Sequence, residues 1–198
     1  QHLQSHDGSF VSRYSSKTGK DRSWSSLYYP GEAALGLVYL YEIETDEDYK
    51  KKWLTIATET LLHLERLRRN LPMQRVEADH WALLATTRLL PKLDKESLEY
   101  WRIYNHAIKV INSILLEVSD VALKQHNGCF TKDKRTCPTA TRLEGLINSL
   151  SFVKDHEIFI DEEAHKALPL REKMRHHIEL GVGFLLQTQQ QTHHNNMK

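Results

Sequence analysis

The sequence has no apolar run near the ~18 residues that a membrane-spanning helix requires. Neither sign of charge is in excess: 27 Lys and Arg face 26 Asp and Glu, for a formal net charge of +1. That balance offers no argument for a nucleic-acid partner, although 12 His leave the charge sensitive to mild acid. There is no Gly-rich phosphate loop and no His-Glu-x-x-His pair, so the short motifs of nucleotide and zinc chemistry are missing. Cysteine is scarce. Cys129 and Cys137 alone flank a short polar loop. Two thiols are too few for a zinc site by themselves. They read as free thiols or, in an oxidising compartment, as one disulfide. The start, Gln1-His2-Leu3-Gln4, lacks a Met and a signal-peptide core, so the chain reads as entered partway and its compartment stays open. The expectation is a soluble chain with no metal, no cofactor and no membrane span.

Helical signals dominate what is present. At 198 residues the chain is long enough for one sizeable core, and one domain over 1–198 is expected. Residues 1–27 are polar, with Asp7-Gly8 as a turn signal and 9–14 as a short extended piece. Pro30 suits a first helical turn, and Ala33, Leu37, Leu40 and Tyr41 then recur at helical spacing, predicting a helix over 30–43. A second helix is predicted over 46–69, with Trp53, Ala57, Thr60, Leu61 and Leu64 as its inner stripe. A third is predicted over 77–90. A fourth, over 94–124, presents Trp101, Ala107, Ile108, Ile111 and Leu115. The loop 125–139 carries His126-Asn127-Gly128 and both Cys; a fifth helix follows over 139–153. The last runs on after Pro169 through Met174, Ile178, Val182, Leu185 and Leu186. The Gln- and Asn-rich 187–198 reads as a disordered tail. Strand signals are sparse, so the class is all-α.

Short, highly apolar helices alternate with longer amphipathic ones, as the inner and outer helices of repeated hairpins do. Asp7-Gly8-Ser9-Phe10, Tyr29-Pro30-Gly31-Glu32-Ala33 with Leu40-Tyr41-Glu42, Ala78-Asp79-His80-Trp81-Ala82 and Ala140-Thr141-Arg142-Leu143-Glu144-Gly145-Leu146 carry a likeness. On these pieces the chain resembles the six-hairpin, (α/α)6-toroid glycosidase-like superfamily, as a partial or half ring. The resemblance implies inner helix starts gathered at a cavity, and a hydrolase, lyase or epimerase acting on an oligosaccharide or a uronic-acid sugar.

The residues themselves suggest similar chemistry. Glu32 and Asp79 are carboxylates at inner-helix starts, and glycoside hydrolysis uses two carboxylates across a cavity. The same position also suits an acid that merely complements the helix dipole. His80 adds a titratable imidazole, and Trp81, Tyr28 and Tyr29 add flat apolar faces on which sugar rings stack. Arg142 suits a carboxylate or sulfate. Glu144, two residues on, does not face it on a helix. The candidate catalytic set is therefore Asp79, Glu32 and His80, and the candidate binding set is Trp81, Arg142, Glu144, Tyr28 and Tyr29. The expected partner is an oligosaccharide or other small polar ligand. A non-catalytic helical scaffold binding a peptide, protein or glycan is the alternative. Lys50-Lys51-Lys52 and Arg66-Leu67-Arg68-Arg69 read as solvated faces without interleaved aromatics, and His176-His177 as an exposed pair.

Overall fold

The computed structural model describes residues 3–21, 23–24, 26–118, 120–161 and 166–195. Among them the chain is mostly helical, with two small antiparallel hairpins. The elements are β1 (Arg13–Ser15), β2 (Gly19–Asp21), α1 (Tyr29–Ile43), α2 (Glu47–Arg68), α3 (His80–Leu89), α4 (Leu98–Leu116), α5 (Asp120–Gln125), α6 (Thr136–Ser149), β3 (Ile158–Asp161), β4 (Lys166–Pro169) and α7 (Leu170–Asn195). The chain divides into two compact units, Gln1–Val110 and Ile111–Lys198, where the sequence reads as one domain.

In the first unit α1 packs against both α2 and α3. Tyr28 offers α1 no side-chain cap; Ser26 Oγ instead accepts from the amides of Tyr28 and Tyr29 at 3.3 and 3.1 Å. The helix buries Pro30, Gly31, Ala34, Leu35 and Val38. This face lies beside the one expected from Ala33, Leu37, Leu40 and Tyr41, and Leu40 is exposed. So apolar a helix offers more than one plausible stripe, and packing makes the choice. Asp46 caps α2 through the amides of Asp48 and Tyr49, at 2.9 and 3.2 Å. The expected inner stripe of α2 is buried apart from Trp53, which is half-buried and donates Nε1–H to Glu44 at 3.2 Å.

Two helix starts move inward from their expected positions. Asp79 caps α3, which therefore begins at His80 rather than 77. Ser97 Oγ accepts from the Tyr100 amide at 3.2 Å, so α4 begins at Leu98 rather than 94. Trp101 is exposed, and the buried face of α4 in this unit is Tyr100, Ile103, Tyr104, Ala107 and Val110.

The second unit holds the end of α4 with α5, α6, the β3–β4 hairpin and α7. The single helix expected over 94–124 is two helices, α4 and α5. Asn127 and Gly128 turn the chain with φ of 55° and 90°. A Cβ on Gly128 would lie 1.9 Å from Leu180 O, so the approach to α7 admits no side chain there. Cys129 is buried, with Sγ 3.3 Å from Thr139 Oγ1; Cys137 is exposed, and both are free thiols. The hairpin pairs Phe159 with Leu168 and buries Phe159 while Ile158 and Ile160 face outward. It fills the stretch between the fifth and the last expected helices, where no strand is expected. That helix, α7, starts at Leu170 and continues to Asn195, so it runs through most of the expected disordered tail; 196–198 lie outside the described residues. His177 is buried on α7 with Nδ1 3.1 Å from Lys173 O, contrary to the exposed pair expected.

Candidate functional site

The starts of α1 and α3 meet. A Cβ on Gly31 would lie 2.7 Å from Ala82 N and 2.9 Å from Trp81 Cβ, so glycine is what lets the two helix starts touch. The rings of Tyr28 and His80 are 5.5 Å apart, those of His80 and Trp81 4.9 Å, and those of Phe10 and Tyr29 5.9 Å. Four of the expected site residues, Tyr28, Tyr29, His80 and Trp81, thus gather with Asp79 at one end of the α1–α3 pair.

Asp79 sits at the back of this cluster with no solvent exposure. Its Oδ1 accepts from the Ala82 amide at 3.0 Å and its Oδ2 from Arg68 Nη2 at 2.9 Å. Burial pushes its carboxyl above the ordinary range, against the pull of Arg68 and the Ala82 amide. Arg68 is itself buried. Its Nε lies 3.3 Å from Glu77 Oε2 and its Nη1 3.5 Å from His106 Nε2. Burial first, then the nearby Arg68 charge, holds His106 down at about 3, so its imidazole is neutral near pH 7. That contact makes Nε2 the acceptor and places the ring proton on Nδ1. One turn earlier on α2, burial pushes Glu65 up, but Arg69 and Arg102 outweigh it and hold its carboxyl at about 2. Lys109 Nζ donates to the carbonyls of Arg68, Arg69 and Leu71 at 3.0, 2.7 and 2.7 Å, capping the end of α2.

In front of Arg68 lies a cavity of about 320 Å³. Ser9 and Phe10 of the first loop, Ser26 and Leu27 before α1, and His63, Arg68 and Glu77 contribute to its walls. Among the described residues Glu77 is its one carboxylate. The loop is pinned in place: His63 Nδ1 is 3.1 Å from Asp7 O, Arg66 donates to the same carbonyl, and Gly8, at φ 82°, passes against Glu59 O.

The other expected residues lie elsewhere. Glu32 is exposed in the first turn of α1 and is not part of the cavity wall. Arg142 and Glu144 belong to the second unit. They lie in the middle of α6, which starts at Thr136 rather than near 139. Arg142 Nη2 donates to Glu117 Oε1 at 2.9 Å and its Nη1 to Pro138 O at 3.1 Å, while Glu144 is exposed.

Sequence reasoning misses Arg68, Glu77, His106 and Lys109. It places Arg68 on a solvated face, and the structure corrects this: acids eleven and nine residues downstream let a guanidinium be buried. In the Lys50–Lys52 run Lys51 is exposed, while Lys50 and Lys52 are half-buried. Lys50 lies 5.5 Å over the Tyr41 ring, and Lys52 lies 5.3 Å over both Tyr49 and Trp53. Among the described residues no group of three or more His, Cys, Asp or Glu is placed to hold a metal, and no helix is long and apolar enough to cross a membrane. Comparison with protein families, with curated proteins and with solved structures gives no match.

Proposed function

We propose that this chain is a carbohydrate-binding protein of helical hairpins, of the toroid-like kind its sequence resembles, and that it holds a sugar beside Arg68 and Glu77 without turning it over. One observation carries the preference for binding over hydrolysis. Asp79 is fully buried, and both its oxygens are occupied, by the Ala82 amide and by Arg68. Hydrolysis by Glu32, Asp79 and His80 requires two carboxylates facing one cavity, about 5 to 9.5 Å apart. Here, among the described residues, Glu77 is the one carboxylate on the cavity wall, and Glu32 lies outside it.

Binding needs less. Hydroxyls from Ser9 and Ser26, a charged pair from Arg68 and Glu77, and the apolar faces of Phe10 and Leu27 are the ingredients of a small polar-ligand site. The volume, about 320 Å³, falls at the lower end of the range for such sites. Trp81, Tyr28 and Tyr29 lie at the same helix starts but are not part of the cavity wall.

Calorimetry with neutral and uronic-acid oligosaccharides, paired with an assay for released reducing ends, tests this. Binding without release is expected, and Glu77→Gln weakens it at least tenfold. Reducing ends released by the wild type but not by Asp79→Asn would restore the enzyme. Failure to bind any sugar would sink both readings.

A further inference from the structure

A second and larger cavity, about 620 Å³, opens on the same helix. Gln4 and His6 wall it on one side; Asp48, Lys51, Lys52 and Glu59 of α2 wall it on the other. Its charges balance: two ammoniums face two carboxylates. Among the described residues none of these four takes part in an ion pair. A bound anion would face both acids, and a bound cation both lysines. A hydroxyl group donates and accepts at once and uses both kinds of partner.

The cavity has one further feature that suits a sugar. Gln4 Nε2 is buried without a hydrogen-bond partner, and a turn of this side chain into the cavity would bring it an acceptor.

The two cavities share a wall. Gln4 and His6 face the larger one, and Ser9 and Phe10, a few residues on, face the smaller. Gln4 and Phe10 form a β-bridge, and the Ser5 amide donates to Ser9 O at 2.8 Å, so the wall is a closed miniature hairpin. Its tip is fixed to α2 through Asp7 O and the Gly8 contact described above. Along α2, Glu59 lines the larger cavity and His63 the smaller, one turn or about 6 Å away.

We propose that the larger cavity is a second sugar subsite and that one neutral oligosaccharide spans both cavities across the Asp7–Gly8 ridge. The inference rests on the carbohydrate reading of the smaller cavity. The backbone of the shared wall is held by its own hydrogen bonds, which favours affinity.

Calorimetry of the whole chain with cello-, malto- and manno-oligosaccharides of one to six units tests it, with oligogalacturonates as the charged control. Affinity for one neutral series should rise at least tenfold from one unit to three or four. That gain should vanish in Glu59→Gln and in Lys52→Met, which leave single-unit binding unchanged, while Glu77→Gln weakens single-unit binding. A flat length series, or a gain that survives both variants, overturns the second subsite while leaving the first. Preference for oligogalacturonate overturns the neutral ligand. No binding by any probe overturns both.

Discussion

At the start of α3 a carboxylate is capped into the helix, ion-paired and shut away from water. At the start of α1, touching it through Gly31 and Ala82, another carboxylate lies open to solvent. Asp79 and Glu32 stand in similar local sequence, each in or before a first turn and followed by apolar residues. What separates them comes from elsewhere in the chain. Arg68 arrives from the end of α2 and reaches Asp79; among the described residues no cation pairs with Glu32. A helix start therefore recruits an acid locally, but a distant partner decides whether that acid becomes buried structure or stays a surface group.

The largest test of this contrast is Asp79→Ala. It removes a cap and strands the buried Arg68, and a loss of about 4 kcal/mol is expected in chemical denaturation. Asp79→Asn, which keeps the cap geometry, should recover only part of that. A change within about 0.5 kcal/mol for the Ala variant would mean that the two starts do not differ.

Acid titration sharpens the contrast from the side of Arg68. Folding lowers His106 from 6.5 to about 3, so the unfolded chain takes up a proton that the folded chain refuses. The stability contributed is complete above pH 6.5 and falls as pH drops toward 3, by about 1.4 kcal/mol per unit. Over two units that is about 3 kcal/mol. Glu65, held at about 2, adds a loss of the same sign below its ordinary value of 4.5. Asp79 acts oppositely, because its raised carboxyl takes a proton first in the folded chain. Denaturation midpoints of the wild type and of His106→Gln between pH 7 and 4.5 read the difference, and parallel curves would refute this account.

Smaller effects come from two glycines of α1. Gly31→Ala drives a methyl group into the backbone of α3 and should cost about 2 kcal/mol. Gly36, five residues on, has open space around its missing side chain, and Gly36→Ala should stabilise by about 0.5–1 kcal/mol. Thermal melts of the pair should shift in opposite directions. The smallest effect is Glu32→Ala, within about 0.5 kcal/mol by the same measurement.

The helical class and the first two helices are legible because Pro30 and Asp46 act within their own turn. Starts displaced by a few residues, at His80 and Leu98, reflect Asp79 and Ser97 serving as caps where the sequence offers several acceptable ones. The β3–β4 hairpin carries a weak signal in Ile158-Phe159-Ile160, an alternation too short to outweigh the helical pattern after it. Convergence of the α1 and α3 starts is foreshadowed by their repeated layout. The Arg68 network is not, since burial of a guanidinium depends on acids beyond the Pro72 turn, and periodicity within one helix does not report that. The cavities are equally hidden, being made by a loop folding back on α2.

The three carbonyls around Lys109 Nζ have a consequence for chemical reactivity. An amine attacks an acylating reagent only through its free lone pair. Here the nitrogen donates to three backbone oxygens at the same helix end. Modifying it would require releasing all three at once, together with the last turn of α2. Lys51, exposed about one turn from the other end of the same helix, has no such shield. Amine-labelling mass spectrometry on the folded chain should mark Lys51 early and Lys109 only when the first unit opens, making one lysine a reporter of surface access and the other a clock for unfolding.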